Sequence, residues 1–258
     1  APGITINRAA CRDIKDANWS IPKDIQKGRW SSDRWALSPS DIEIFKSHID
    51  CWKKISLSGE IGIVLEDDLI FSKSFTKIIE SLKTKNLNGI IRLDGVNLPL
   101  LMSKPVTISN EFSISKVNSI AASAAAYAVD SYTAEKLISN IRVERTLDDY
   151  LFDPKPSDRG ARGHLLPIYQ IEPITLVQAQ FGNYSDKSSK IPDFLKITKR
   201  VDVKRRRSKS LRGPILYRFK KQILRMVYKN RLKKYKKDIT NKGGEWKVPT
   251  LSNDLSWN

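Results

Sequence analysis

The sequence predicts an α/β body followed by a basic helical segment, and three observations support this. Strand-length apolar runs alternate with helical patterns before residue 195. Of the 258 residues, 40% are hydrophobic, which is enough to bury a core. Positive charge is concentrated in residues 196–237, which hold 19 Lys and Arg against a single acid, Asp202.

This distribution of charge divides the chain into two parts. The net charge of +18 comes from 46 basic and 28 acidic residues, so 27 of each remain outside residues 196–237. We therefore expect a neutral domain over residues 1–195 and a basic tail over residues 196–258. Such a tail is typical of proteins that bind nucleic acid or an anionic membrane.

The first strong element is a helix that begins near residue 38, after a possible strand at residues 3–8. Ser38 is a good N-cap, Pro39 suits the first helical position, and Gly59 closes the turn after the helix. Apolar side chains recur on one face of this helix at Ile42, Phe45, Ile49 and Trp52.

A continuous apolar run at residues 61–65 (IGIVL) predicts a buried strand of a parallel sheet. Three acids follow it, Glu66, Asp67 and Asp68, and a helix capped by Ser72 or Ser74 comes next. Acids at the carboxyl end of a parallel strand occupy the place where α/β sheets bind ligands, and they could hold a divalent cation with a substrate diphosphate. The alternative is a solvated loop whose acids favour the dipole of the following helix.

The remaining predicted elements follow the same alternation. They are a strand at 89–93, an ambiguous alanine-rich run at 119–129, a helix at 133–141, a short helix at 146–152, a mobile loop at 153–163 and a strand at 165–171. Pro214 opens a basic amphipathic helix that reaches about residue 237.

Few other residues have a pattern that indicates chemistry. His48 lies near the buried face of the first helix, where a core histidine is the usual interpretation. Asp148 and Asp149 begin a short helix, either as acids favourable to its dipole or as a general base. Two cysteines and two histidines give no zinc-site spacing, and no nucleophile elbow or phosphate-binding glycine loop is present.

The order of these motifs resembles glycosyltransferase family 25, the lipooligosaccharide and lipopolysaccharide glycosyltransferases related to collagen galactosyltransferases. The resemblance extends over residues 3–191. Its motifs are DIEIFKSH at 41–48, CWKKI at 51–55, LEDD at 65–68, AAYAV at 125–129, AEKL at 134–137 and DDYL at 148–151, then Pro173, Val177 and Gln178.

The resemblance implies a GT-A-like fold with a mixed, mainly parallel sheet flanked by helices, and an inverting transfer from a nucleotide sugar. It identifies Glu66, Asp67, Asp68 and Gln178 with donor binding, and Glu66 and Asp68 with Mn²⁺ or Mg²⁺. Asp148, then Asp149, is the expected general base, and His48 is a further expected site residue. It also aligns the start of this sequence after the family's first strand, which would be missing or truncated.

The leading hypothesis is a bacterial enzyme that transfers galactose or glucose, from a UDP-sugar, to a lipopolysaccharide, a lipooligosaccharide or another lipid-linked glycan. Residues 196–237 would hold it on the cytoplasmic face of the inner membrane, as a peripheral protein on anionic lipid. No apolar stretch is long enough to span a bilayer, and the two cysteines are typical of a reduced compartment. The rival hypothesis is a nucleic-acid-binding protein that uses the same basic segment.

Overall fold

The computed structural model describes Leu37 and residues 39–83, 88–139, 141, 146–153, 166–186, 188, 190 and 214–258. The predicted strand at 3–8, nearly all of the predicted loop at 153–163 and the polar segment at 204–212 lie outside these ranges.

The described helices and strands agree with most of the predicted elements. The helices are α1 (Pro39–Ser58), α2 (Phe75–Lys83), α3 (Ser131–Ser139), α4 (Leu147–Phe152) and α5 (Ile215–Asn241). The strands are β1 (Gly62–Leu65), β2 (Leu69–Phe71), β3 (Ile90–Arg92), β4 (Asp94–Gly95), β5 (Leu100–Met102), β6 (Val106–Thr107), β7 (Ser113–Lys116), β8 (Ala126–Val129), β9 (Ile168–Glu172), β10 (Leu176–Gln178), β11 (Gly182–Tyr184), β12 (Glu245–Lys247) and β13 (Leu255–Trp257).

A six-stranded sheet in the order β1-β8-β3-β9-β7-β6 forms the centre of the body. On one face, α1, α3 and α4 contribute side chains to a core that includes Phe45, Trp52 and Leu137. On the other face, α2 contributes Ile78 and Leu82 to a second core. The predicted α/β architecture is thus observed as helices on both faces of one sheet.

The prediction of a mainly parallel sheet is wrong. Among the described strands of the central sheet, only β3 and β9 pair in parallel, and the other four pairs are antiparallel. The reason is β8, a fully buried strand that runs antiparallel between β1 and β3. The prediction that β1 is a buried strand is also wrong, because β1 lies at the edge of the described sheet, where only Val64 is buried and Leu65 is 42% exposed. An apolar run does not reveal the number or the direction of its neighbouring strands.

The prediction of a helix directly after the acidic loop also needs correction, because β2 lies between them. Strand β2 pairs antiparallel with β10, which pairs in parallel with β4. This three-stranded sheet brings Gln178, the last residue of β10, opposite Leu69, the residue after the acidic triplet.

The last residues of the chain do not extend the basic tail but return to the body. Strand β12 pairs with β5, and β13 pairs with β11. The carboxylate of Asp254 also accepts hydrogen bonds from Ser72 Oγ at 2.8 Å and from Lys73 N at 2.7 Å, just before α2. Residues 245–258 therefore belong with the body, whereas the sequence analysis grouped them with residues 196–244.

The helix α5 contacts the body through its C-terminal half. The Tyr235 hydroxyl donates to Asn118 Oδ1 at 3.1 Å, and the ammonium group of Lys236 lies 5.6 Å from the centre of the Trp246 ring. By contrast, its first half exposes several large apolar side chains to solvent: Ile215, Leu216, Phe219, Ile223, Met226 and Val227. Among the described residues, no helix has the length and hydrophobicity needed to cross a bilayer.

Candidate active site

The polar residues of the candidate site lie together at one edge of the central sheet. Strands β1 and β3 point in the same direction, because each pairs antiparallel with β8. Glu66 follows the end of β1, and Asp94 lies two residues after the end of β3. Since β8 runs the opposite way, the residues before it, including Ser123, reach this same edge. Glu66 N donates to Ala125 O at 2.8 Å and fixes the acidic triplet there.

Gln178 holds two of the three acids of the triplet together. Its Nε2 lies 3.2 Å from Glu66 Oε2 and 3.1 Å from Asp68 Oδ2, so a single amide group donates to both carboxylates. Asp68 O also accepts from Ala179 N at 2.9 Å, which fixes the backbone of the triplet on β10. The third acid of the triplet, Asp67, differs from the other two because its side chain is exposed. The structure therefore brings together Glu66, Asp68 and Gln178, as the family resemblance implied.

Glu66 is the electrostatic centre of this cluster. The pKa of its carboxyl group is raised to about 8, mainly by burial and then, in decreasing order, by the nearby charges of Asp68, Asp148, Asp94 and Asp67. Besides Gln178, the Glu66 carboxylate has His48 as a neighbour, with Nε2 of the histidine 3.9 Å from Glu66 Oε1. Burial is the larger cause of this shift, and the like charges of four neighbouring acids add to it, so a bound cation would be favoured here.

Asp94 and Ser123 form a second layer behind Gln178. Ser123 Oγ contacts Asp94 Oδ2 and lies 3.0 Å from Gln178 Oε1. Asp94 is fully buried, and burial raises its pKa, although Arg92 and the Ser123 hydrogen bond oppose the shift. A proton retained on Asp94 would make both Ser123 contacts hydrogen bonds, because the single serine hydroxyl can donate to only one oxygen.

Arg92 lies beside Asp94 and is itself almost fully buried. Its guanidinium group donates to Gln170 Oε1 at 2.8 Å and to Ala122 O, and it lies 4.8 Å from the centre of the Phe152 ring. Burial lowers the pKa of Arg92, whereas the charges of Asp94 and Asp148 raise it. Ser123 has a φ of +73°, a conformation that is unusual for a residue other than glycine, and its carbonyl lies 3.5 Å from Arg92 Nη2.

His48 is both a packed residue and a neighbour of the acids. It is 5% exposed, and burial lowers its pKa to about 4, so the ring is neutral at pH 7. Trp52 Nε1 donates to the Tyr127 hydroxyl at 2.7 Å, and this hydroxyl lies 2.8 Å from His48 Nδ1. The buried Tyr127 proton finds an acceptor if Nδ1 is unprotonated, which places the histidine proton on Nε2, towards Glu66.

The two acids of α4 differ in their relation to this cluster. The charge of Asp148 acts on both Glu66 and Arg92, whereas Asp149 contributes to neither shift. Both side chains are half-buried in the first turn of α4, and Thr146 at its N-cap makes no side-chain capping hydrogen bond. The structure therefore brings Asp148 towards the acidic triplet.

Sequence analysis did not identify Asp94, Ser123, Arg92 or Tyr127. The signal for Asp94 was available, because this acid follows a predicted strand as Glu66 does. Ser123 had no comparable signal, since its position depends on a backbone turn of positive φ. The role of Arg92 depends on three contacts from distant parts of the chain, which no local pattern reveals.

The acids do not form a complete metal site by themselves. Within the described ranges, no group of three or more His, Cys, Asp or Glu side chains is arranged to hold a metal ion. The pair formed by Glu66 and Asp68 nevertheless provides the oxygen ligands that Mg²⁺ and Mn²⁺ prefer. Such ions are often bound by one or two carboxylates, with water and substrate phosphate as the other ligands.

Comparison with protein-family models matches residues 9–152 to the model described as "Glycosyltransferase family 25 (LPS biosynthesis protein)". This range is more than half of the chain and includes His48, the acidic triplet, Asp94 and Asp148. Gln178 and α5 lie beyond it. A search of curated proteins gave no match.

The pKa of Glu66 leads to a prediction for stability without metal. Below pH 8 the folded protein retains a proton that the unfolded chain releases near 4.5. The free energy of unfolding should therefore fall as the pH rises from 4.5 to 8. Glu66→Gln should make this fall in the free energy of unfolding smaller by about 2 kcal/mol. The difference is less than the whole pKa shift would give, because 31% of the Glu66 side chain stays exposed to solvent. Urea denaturation in EDTA at pH 5 and pH 8.5 measures the difference.

The matched control is Glu60→Gln, which changes an exposed glutamate in the turn before β1. It should keep the wild-type dependence on pH. An equal fall in the free energy of unfolding for the wild type and Glu66→Gln would contradict the shifted pKa.

Proposed function

Because the chain belongs to glycosyltransferase family 25 and is a glycosyltransferase of lipopolysaccharide biosynthesis, we propose the following reaction for it. It transfers a hexose, galactose or glucose, from a UDP-sugar to a lipopolysaccharide, a lipooligosaccharide or another lipid-linked glycan. The anomeric configuration inverts in the transfer. The observation that carries this proposal is the cluster in which Gln178 joins Glu66 to Asp68 while the charge of Asp148 acts on Glu66.

The donor would bind at Glu66, Asp68 and Gln178. Bringing a diphosphate to this edge requires neutralisation, since burial and the repulsion of neighbouring acids together already raise the pKa of Glu66 to about 8. Glu66 and Asp68 would hold Mn²⁺ or Mg²⁺ there. When bound, this ion supplies positive charge that stabilises the departing diphosphate. Asp67, exposed beside them, would contribute at the rim of the donor site.

The acceptor hydroxyl would attack the anomeric carbon from the side opposite the diphosphate. The new bond forms between the acceptor oxygen and this carbon as the bond from the carbon to the donor phosphate oxygen breaks. Asp148 would take the proton of the hydroxyl, and UDP would leave with the electron pair of the broken bond. Asp148 is preferred to Asp149 because its charge acts on both Glu66 and Arg92.

His48 would serve as a positioning residue for Glu66. The neutral imidazole directs its Nε2 proton towards Glu66 Oε1 at 3.9 Å, which is longer than a hydrogen bond, while Glu66 Oε2 accepts from Gln178. The fixed chain of Trp52, Tyr127 and His48 prevents the ring from turning away. This role depends on the packing and dipole of the ring beside Glu66 rather than on a charge, because the lowered pKa keeps the ring neutral.

The helix α5 would hold the enzyme on anionic lipid at the cytoplasmic face of the bacterial inner membrane. At 100° per residue, its exposed apolar side chains lie within an arc of about 120°, and Leu232 and Tyr235 lie on the opposite side. The side that contacts the body is therefore separate from the apolar side. Exposed lysines on this side of the helix would contact lipid phosphates. Lys220 and Lys229 lie on the two sides of the apolar arc, and Lys233 and Lys237 continue the arc towards the C-terminal end of α5.

We expect Asp148→Asn to lower kcat for transfer by about 10²- to 10⁴-fold, the usual contribution of a general base. The affinity for UDP should stay within about threefold of wild type, because Asn keeps the size of the side chain. Transfer from UDP-galactose and UDP-glucose to a rough-type lipooligosaccharide, with Mn²⁺ present, measures the first quantity, and calorimetry measures the second.

Asp149→Asn is the matched control for this experiment, since it changes the adjacent acid in the same helical turn. It should reduce kcat by less than about tenfold. A large loss confined to Asp149→Asn would transfer the role of base to that residue. Full activity of both variants would exclude the acids of α4 from the proton transfer.

The membrane proposal predicts a loss of binding to phosphatidylglycerol vesicles when four exposed lysines of α5 are replaced by glutamate. At about 1 kcal/mol for each lysine, removal of four should weaken binding by roughly three orders of magnitude. Sedimentation with vesicles measures the bound fraction. The variant replaces Lys220, Lys229, Lys233 and Lys237.

The control makes the same change of charge on the body, at the exposed residues Lys53, Lys54, Lys73 and Lys116. It should retain most of the binding. Equal losses in the two variants would mean that net charge, and not α5, attracts the protein to lipid. Salt-sensitive binding of wild type to DNA, with no binding to vesicles, would favour the rival nucleic-acid function.

A further inference from the structure

A cavity of about 420 Å³ lies between the body and the C-terminal segment. The loop that follows β4 forms one wall with Leu98, and the residues before Ser123 form another with Ile120 and Ala122. The C-terminal segment closes the cavity with Leu232 of α5 and Trp246 of β12. The volume is in the range of cavities that bind small molecules.

Arg92 connects this cavity with the acids of the candidate active site. It lines the cavity, and the charges of Asp94 and Asp148 both act on its guanidinium group. Arg92 is 1% exposed, and its Nε has no hydrogen-bond partner within the described part of the chain. A buried donor without a partner is costly, so a cavity next to it favours a ligand that carries acceptor oxygens.

The cavity walls also limit the kind of ligand. They are mainly apolar, with an aromatic ring at Trp246 and a single buried cation at Arg92. A sugar ring suits both parts, because its C–H face can pack on apolar and aromatic side chains while its hydroxyl groups accept from the guanidinium group. A free acyl chain would leave Arg92 Nε without a partner, and a nucleotide diphosphate would bring negative charge to a site that offers only one cation.

The position of the cavity relative to α5 indicates where this sugar comes from. Leu232 follows Val227, the last residue of the exposed apolar arc, by five residues, or about 7.5 Å along the helix. The cavity is on the side of α5 that faces the body, about one helix diameter, or roughly 10 Å, from the apolar side. If the apolar side rests on lipid, the cavity stands just above the surface of the membrane.

We propose that this cavity binds the terminal saccharide of the lipid-linked acceptor, so that the C-terminal segment builds the acceptor site while α5 keeps the lipid nearby. The proposal rests on the proposed transfer to a lipid-linked glycan. Arg92 binds acceptor hydroxyls from the cavity wall, and its guanidinium group is within electrostatic reach of Asp148, the proposed base. The return of β12 to β5 thereby has a functional consequence, because it places Trp246 in the cavity wall.

The test compares Leu98→Trp, which adds bulk at a wall residue that is 55% exposed, with Leu57→Trp. Leu57 is 88% exposed on α1 and lies outside the cavity wall, so the control makes the same substitution elsewhere. The first probe is the deacylated core oligosaccharide of a rough lipopolysaccharide, titrated calorimetrically into the full chain. The second probe is UDP with Mn²⁺, titrated in the same way.

Leu98→Trp should weaken binding of the oligosaccharide at least tenfold, and Leu57→Trp should leave it unchanged. Trp246→Leu, which removes the aromatic ring and keeps an apolar side chain, should weaken it by a similar factor. Circular dichroism checks that each variant is folded. Binding of UDP should be the same in all four proteins, since the acids of the donor site are untouched.

The proposal is overturned if wild type does not bind the oligosaccharide, or if all variants bind it equally. Weaker binding of UDP by Leu98→Trp would assign the cavity to the donor, and capture of a fatty acid in place of the oligosaccharide would assign it to lipid. Failure of the proposed function gives a different pattern: no protein, including wild type, would bind UDP with Mn²⁺, while the effects on the oligosaccharide would persist.

Discussion

The contact on which the site depends is the hydrogen bonding of one amide group, Gln178 Nε2, to two carboxylates. Glu66 and Asp68 lie on either side of Asp67 in a tight loop, where their charges would otherwise separate. Gln178 brings them together at the sheet edge, and Ser123 lies against its carbonyl oxygen. The amide cannot neutralise the two acids, and the pKa of Glu66 is raised first by burial and then by the charges of the neighbouring acids. Two adjacent carboxylates in such a partly buried place favour the binding of a cation.

The position of Gln178 in turn depends on the small three-stranded sheet. Strand β10 pairs with β2 directly after the acidic triplet, and with β4 directly after Arg92. One strand thus aligns residues from the ends of β1 and β3. The C-terminal strands add to the same body, since β13 pairs with β11 and Asp254 caps the segment before α2. The residues after α5 therefore stabilise the fold in addition to any role in binding.

Local patterns predicted the elements whose environment is simple. The amphipathic α1 followed from side-chain periodicity, because one of its faces packs on apolar neighbours. The position of β1 as a strand also followed, but its burial did not, since only Val64 of this strand is buried and Leu65 is 42% exposed. Strand direction did not follow, since β8 is a short, fully buried strand and its antiparallel pairing is a tertiary property. The return of β12 and β13 also had no signal, because both are short and contain polar residues.

The candidate site was predictable to the extent that its residues follow strands. Glu66 and Asp68 met this condition, and so did Asp94, which was overlooked. Gln178 came from family resemblance alone, and only the pairing of β10 with β2 explains why an amide is needed there. Ser123 and Arg92 depend on contacts between segments about thirty residues apart in the chain, which local reasoning does not reach.

The most direct test of the central claim is the binding of Mn²⁺ in the presence of UDP, followed by electron paramagnetic resonance of the free ion. Wild type should bind the ion with UDP, and Asp68→Asn should weaken this binding at least tenfold. Asp67→Asn, which changes the exposed neighbour, should stay within about threefold of wild type. Equal binding by wild type and Asp68→Asn, or no binding by wild type, would contradict the role given to Glu66, Asp68 and Gln178.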